Sequence, residues 1–150
     1  MNKPAIKDPK PNPVGHAAIE GTLDIVISQC DLPKEIEKLH KEDAWLKSTG
    51  PSSKTLVKHP DLRIVLIAMR GKMCMHEHRT AARISIQTLE GHIRLRLGDR
   101  TVDLALGQLL VLDHCVSHDV ETEEDSAFLL TLSWPVGEAD KCETDERRTD

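Results

Sequence analysis

From residue 56 to residue 134 the chain is built of short apolar or alternating runs separated by turn residues. In several runs hydrophobic side chains occupy every second position, which is the period of a β-strand with one buried face. The pattern predicts eight strands, at residues 63–69, 73–78, 83–89, 93–97, 101–104, 109–112, 116–120 and 128–134. Gly98 and Asp99 separate two alternating runs and predict a hairpin, so we expect antiparallel connections. Strands this short and numerous indicate an all-β sandwich or barrel.

One helix is predicted before the strands, at residues 32–47. Asp31 can cap its first turn, Pro33 suits an early helical position, and Gly50 and Pro51 should follow its end. The ends of the chain lack a periodic apolar face. Residues 1–20 are rich in proline and predict a flexible N-terminal arm, and residues 137–150 predict an acidic tail. We therefore expect one barrel domain at residues 21–136, including the helix.

Charge and composition exclude several classes of partner. Asp and Glu outnumber Lys and Arg by 25 to 20, which gives a net charge of -5 and no general attraction to nucleic acid or anionic lipid. Aromatic residues make up only 2%, so platforms that stack bases are hard to build. The longest apolar runs are too short to span a membrane. We expect a cytoplasmic protein that contacts neither nucleic acid nor membrane.

Four cysteines are present, and none forms a CxxC pair. A domain of this size does not need disulfides, so reduced thiols are expected.

The sharpest local feature is the sequence His76-Glu77-His78 on a predicted strand. Because side chains alternate between the faces of a strand, His76 and His78 should share a face, with Cys74 on the same side. Two imidazoles on one face supply half of a metal site. A third ligand is required from elsewhere in the chain.

The segment from Gly71 to about Thr122 resembles the cupin family. The first cupin motif is G-x5-HxH-x(3,4)-E-x6-G, and here Gly71 is one residue closer to His76 than in the family, while Gly91 closes the motif. The second is G-x5-P-x-G-x2-H-x3-N. It is matched by Gly107 and His118, whereas Asp113, Cys115 and Thr122 stand in place of its proline, second glycine and asparagine.

The resemblance implies a single cupin-type β-barrel, a double-stranded β-helix of jelly-roll type, which often pairs as a homodimer. It also implies His76, His78 and His118 as ligands of a divalent transition metal, with Fe, Mn, Ni, Cu and Zn all open; a metal-free barrel is the alternative. The glutamate of the first motif is missing. Alternation favours Ile84 and Ile86 facing the lumen, with Val120 as a further wall residue.

Three residues are further candidates near the site. Gln87 could supply a neutral oxygen ligand if its strand faced the other way. Cys74 is either an extra ligand or a small buried residue. His114 is either a residue behind the ligands or part of a surface loop.

Two functions are compatible with this pattern. The first is a metalloenzyme, with three-histidine dioxygenase or Lewis-acid chemistry on a small carbonyl, enol or thiol metabolite. The second is a non-catalytic cupin that binds or senses a small molecule, favoured by the missing glutamate and by the lack of an evident general base. Both predict a small-molecule ligand.

Overall fold

The computed structural model describes residues 28–135 and Cys142, and this part of the chain forms two helices and nine strands. The helices are α1 Leu32–Leu39 and α2 Asp43–Leu46. The strands are β1 Ser52–Lys58, β2 Leu62–Met69, β3 Met73–His78, β4 Arg83–Glu90, β5 His92–Leu97, β6 Arg100–Ala105, β7 Leu109–Leu112, β8 His118–Thr122 and β9 Ser126–Ser133. The predicted arm and tail, and the outer bounds of the predicted domain, lie outside the described residues.

The strands form two antiparallel sheets that enclose an aliphatic core. One sheet has the order β1-β2-β9-β4-β7 and the other has the order β3-β8-β5-β6. Ile86 on β4, Ile93 and Leu95 on β5, and Phe128 on β9 are at most 1% exposed and belong to one buried cluster between the sheets. The all-β prediction is confirmed, and so is the hairpin at Gly98-Asp99, since Leu97 pairs with Arg100.

β1 was not among the predicted strands. Its sequence SSKTLVK carries few apolar residues, and only Ser52 and Leu56 are buried. The strand lies at the edge of its sheet, and its pairing with β2 is irregular between Thr55 and Val57. An edge strand needs little apolar patterning because one of its faces and one of its edges remain exposed.

The prediction of a single helix at residues 32–47 is wrong, although the start of that helix is as expected. The side chain of Asp31 accepts a hydrogen bond from the backbone N–H of Lys34 at 3.2 Å, and Pro33 lies in the first turn. α1 then ends at Leu39, and α2 begins after Glu42, whose backbone is extended with ψ of 150°.

The break between the helices places Trp45 in the core. A continuous helix would align Asp43 with Leu39 on the buried side, because residues four apart share a helix face. The break instead turns Trp45 inward, where it is 5% exposed and stacks on His40 with ring centroids 4.0 Å apart. Both helices pack through such residues against the five-stranded sheet. Neither helix is long and apolar enough to cross a membrane.

The expectation of reduced thiols is wrong for one pair of cysteines. Cys115 and Cys142 form a disulfide across 27 residues of sequence, while Cys30 and Cys74 are free. The two cysteines do not form a CxxC-type motif, so the sequence pattern did not predict this bond. Disulfides are typical of oxidising compartments, and the cytoplasmic location therefore stays a prediction.

Two glycines with a positive φ offer a test of how tightly the sheets are joined. Gly91 (φ 68°) connects β4 to β5, and a Cβ there would overlap the backbone oxygen of Asp125. Gly98 (φ 61°) lies in the hairpin with open space around it. Gly98→Ala should cost about 1–2 kcal/mol of unfolding free energy from backbone strain alone. Gly91→Ala should cost roughly 1–3 kcal/mol more, because the Cβ also displaces backbone. Urea denaturation measures the free energy of unfolding of each variant. Equal losses would show that the backbone near Gly91 moves away from the added Cβ at no cost.

Candidate functional site

A β-bulge in β3 decides where the candidate side chains point. Met75 pairs with Val120 on β8, but the next pair along the ladder is His78 with His118. Two residues of β3, His76 and Glu77, therefore lie opposite a single residue of β8. Such a bulge shifts the alternation of side chains by one position and re-aims them.

The bulge separates the two histidines that were expected to share a face. Met75 packs against the core between the sheets, and His78 lines a cavity that opens from this core. Cys74 and His76 lie on the opposite face of β3, where the Cys74 Sγ and the His76 Nδ1 are 3.5 Å apart. Cys74 and His76 thus share a face as expected, but His78 does not share it.

The inner face forms a cavity of about 180 Å³. Its apolar lining residues are Ile67, Met75, Ile84, Ile86, Val120, Phe128, Leu130 and Leu132. Three of these, Ile84, Ile86 and Val120, are the wall residues that the sequence suggested. Its polar lining residues are His78, Arg79, Thr80 and His118. Arg79 and Thr80 were not among the predicted site residues, and only their position directly after the HxH sequence could have drawn attention to them.

The two cavity histidines face each other across the β3–β8 pair. Their ring centroids are 6.2 Å apart, and the rings are tilted by 43°. His118 is 7% exposed, and its Nδ1 lies 3.0 Å from the backbone oxygen of Val116. Because a carbonyl oxygen only accepts, the Nδ1 of His118 carries the proton and donates it. The Nε2 of His118 is then available to a ligand.

The outer face brings together a different set of potential ligands. Among the described residues, one group of His, Cys, Asp or Glu has three ligand atoms within 4.8 Å of one another, and it consists of Cys74, His76 and Asp119. Burial raises the pKa of the Cys74 thiol, and the nearby carboxylates of Glu121 and Asp119 raise it further. Asp119 was not predicted, although its place beside His118 on a strand puts it on the outer face.

The ligand atoms of His76, His78 and His118 do not all lie within 4.8 Å of one another. His78 and His118 line the cavity, while His76 and His118 line the outer groove. Counting back from Gly91, the position of the missing glutamate is Ile84, which lines the cavity with an apolar side chain, as Ile86 does. A three-histidine centre stays a prediction.

Gln87 and His114 both lie away from the cavity lining. Burial along β4 alternates so that Ile86 is buried and Gln87 is on the opposite face. His114 is exposed, and its Nδ1 is 3.0 Å from Asp113. Asp113 also accepts two hydrogen bonds from Arg83, and Arg83, together with the backbone N–H of His114, lowers the pKa of this carboxyl. These contacts place His114 in a surface ion-pair cluster.

Two replaced positions of the second motif keep a recognisable structural role. Cys115, at the place of a glycine, has φ of 61°, which is the left-handed conformation that glycine adopts most readily. Its backbone N–H donates to Thr80 O at 2.8 Å, which ties this turn to the β3–β4 connection. Thr122, at the place of the asparagine, is buried, and its hydroxyl donates to Arg70 O at 2.6 Å. The turns of the motif therefore survive its substitutions.

Comparison with known proteins identifies the fold. No protein-family model and no curated protein matches the chain. A cupin superfamily protein from Desulfitobacterium hafniense superposes with a TM-score of 0.56 at 15% identity, covering 57% of this chain and 79% of its own. The chain has the cupin fold.

Two further solved structures are similar to this chain. A conserved protein of unknown function from Streptococcus pyogenes has a TM-score of 0.62 at 22% identity, covering 83% of this chain and 100% of its own. A point mutant of salicylate 1,2-dioxygenase from Pseudoaminobacter salicylatoxidans has a TM-score of 0.60 at 15% identity, covering 67% of this chain and 33% of its own. These identities establish the shared fold and leave the activity open.

The conformation of Cys115 gives a test of the second cupin motif. In a Cys142→Ser background, which lacks the disulfide, Cys115→Gly should be more stable than Cys115→Ala by about 1 kcal/mol, because alanine is strained at a positive φ. Urea denaturation gives the two free energies of unfolding. His114, whose φ is not positive, is the matched control, and there glycine should be the less stable substitution. Alanine as stable as glycine at position 115 would contradict the assignment.

Proposed function

We propose that this cupin holds a compact organic anion with an apolar body in the cavity between its sheets. The observation that carries the proposal is the make-up of the cavity wall. Eight of its lining residues are aliphatic, aromatic or Met, and the four polar ones are His78, Arg79, Thr80 and His118. The lining includes the cationic residue Arg79 and no Asp or Glu, so it favours a ligand whose polar end is negative.

The size of the cavity limits the ligand to a small molecule. An apolar cavity of about 150 Å³ accommodates benzene. At about 180 Å³, this cavity has room for a ring or a short branched chain with one polar group. Burying that apolar body would supply roughly 25 cal/mol for each Å² removed from water.

The His118 tautomer supports the orientation of the ligand. With Nδ1 donating to Val116 O, a neutral His118 offers Nε2 as an acceptor for a hydroxyl or enol, and a protonated His118 offers it as a donor to a carboxylate. The imidazole of His78 faces it across the cavity mouth. A carboxylate, an enolate or a hydroxy acid would meet these two rings with its polar end.

A metalloenzyme is the second candidate function. It is favoured by the proximity of His78 and His118, whose ring centroids are 6.2 Å apart. Two imidazoles bound to one tetrahedral ion place their ring centroids roughly 5 Å apart, so the rings would have to approach each other by about 1 Å. It is weakened by the outward position of His76. We therefore favour binding without turnover, with a homodimer as the expected assembly.

Binding of simple carboxylates to the full chain tests the proposed function. Isothermal titration with benzoate and short-chain carboxylates, in the presence of a chelator, should show binding to one site. Benzamide, which has the same shape as benzoate but no charge, should bind at least about tenfold more weakly, since a charge-assisted hydrogen bond is worth about 1.5–3 kcal/mol.

Histidine variants provide the matched control for this titration. His118→Gln should weaken benzoate binding about tenfold or more, whereas His114→Gln, which changes an exposed histidine, should leave it unchanged. Equal effects of the two variants, or no binding of any carboxylate, would contradict the proposal. Binding that appears only after a divalent metal is added would favour the metalloenzyme.

A further inference from the structure

We infer that Cys74, His76 and Asp119 form a second site, a zinc-binding site on the outer face of the β3–β8 pair. The site adjoins the cavity, since His118 lines both the cavity and the groove beside the cluster, but it does not depend on the proposed ligand. It uses the thiol, the imidazole and the carboxylate that the bulge and the strand alternation bring to one face. Sulfur, nitrogen and oxygen donors in this combination suit Zn²⁺, a borderline-soft divalent ion.

The spacing of the donor atoms matches tetrahedral zinc. With Zn–S of about 2.3 Å and Zn–N of about 2.0–2.1 Å, a tetrahedral ion holds the two donor atoms about 3.6 Å apart. The Cys74 Sγ and the His76 Nδ1 are 3.5 Å apart. All three ligand atoms, including a carboxylate oxygen of Asp119, lie within 4.8 Å of one another, so a side-chain rotation of Asp119 is the main adjustment needed.

The charges around the cluster favour a cation. A Cys74 thiolate and the Asp119 carboxylate together would neutralise the two charges of Zn²⁺. Arg96 lies close by, but its guanidinium forms an ion pair with Glu121, and this offsets its repulsion of a metal ion. Both partners of that ion pair lie on the outer sides of β5 and β8, next to the cluster.

Three protein ligands would leave one coordination position open. His76 and Asp119 border a surface groove, whose other lining residues are Arg96, Gly98, Ser117 and His118. The open position of a three-ligand zinc takes water or an exogenous ligand. The site therefore has room for a small anionic ligand between the zinc and Arg96.

Cobalt substitution of the full, metal-free chain tests this site without any activity assay. Co²⁺ should bind with one equivalent per chain and give a thiolate-to-cobalt charge-transfer band, with visible bands of tetrahedral intensity, and Zn²⁺ should displace it. Cys74→Ser should abolish the charge-transfer band, whereas Cys30→Ser, which removes the other free thiol, should retain it.

The remaining variants distinguish the outer site from the cavity. His76→Gln and Asp119→Asn should each weaken zinc binding by at least about tenfold. Changing a residue that only hydrogen-bonds a metal ligand already costs about tenfold or more in metal affinity, so loss of a ligand should cost no less. His78→Gln, which changes a cavity residue outside the groove, should leave zinc binding unchanged. The inference is overturned if no charge-transfer band forms, if the band survives Cys74→Ser, or if the His78 variant loses the metal while the His76 and Asp119 variants keep it.

Discussion

The pairing of β3 with β8 is the constraint on which the site depends. One extra residue on β3 lets Met75 and His78 both point inward while Cys74 and His76 point outward. A regular ladder would have put Cys74 and His76 with His78 on one face and the two methionines of the strand on the other. The bulge thus assigns the chemistry-bearing side chains of one short strand to two different environments.

The two environments differ in what they can hold. Inside, an apolar wall with His78, Arg79, Thr80 and His118 at its polar side is what the proposed organic anion would contact. Outside, a thiol, an imidazole and a carboxylate among paired charges suit a soft divalent ion. The turn at Cys115 is tied to a residue of the cavity lining: its backbone N–H donates to the backbone oxygen of Thr80, and its side chain forms the disulfide with Cys142. These restraints keep His118 near the loop that carries Arg79.

The fold was largely predictable, because the alternation of apolar and polar side chains can be read from the sequence of each strand by itself. The predicted strands 73–78 and 109–112 coincide with β3 and β7. The strand predicted at 116–120 begins two residues later, at His118, after the left-handed turn at Cys115. The cupin resemblance, which rests on a few glycines and histidines, is matched by the shared fold of the solved structures.

The site was less predictable because its geometry arises between segments that are distant in sequence. The bulge depends on how β3 registers with β8, and nothing in His76-Glu77-His78 alone specifies it. The same holds for the Cys115–Cys142 bond and for the helix break that buries Trp45 against the five-stranded sheet. The positions of Gln87 and His114, by contrast, were predictable. Strand alternation favoured Gln87 on the face away from the cavity, and its place in a turn favoured His114 on the surface.

The register of β3 against β8 in solution is the most direct test of the account. Nuclear Overhauser contacts between backbone protons report which residues lie opposite each other in an antiparallel pair. The account predicts contacts of His78 with His118 and of Met75 with Val120. A continuous ladder, with Glu77 opposite His118 and His76 opposite Asp119, would contradict it.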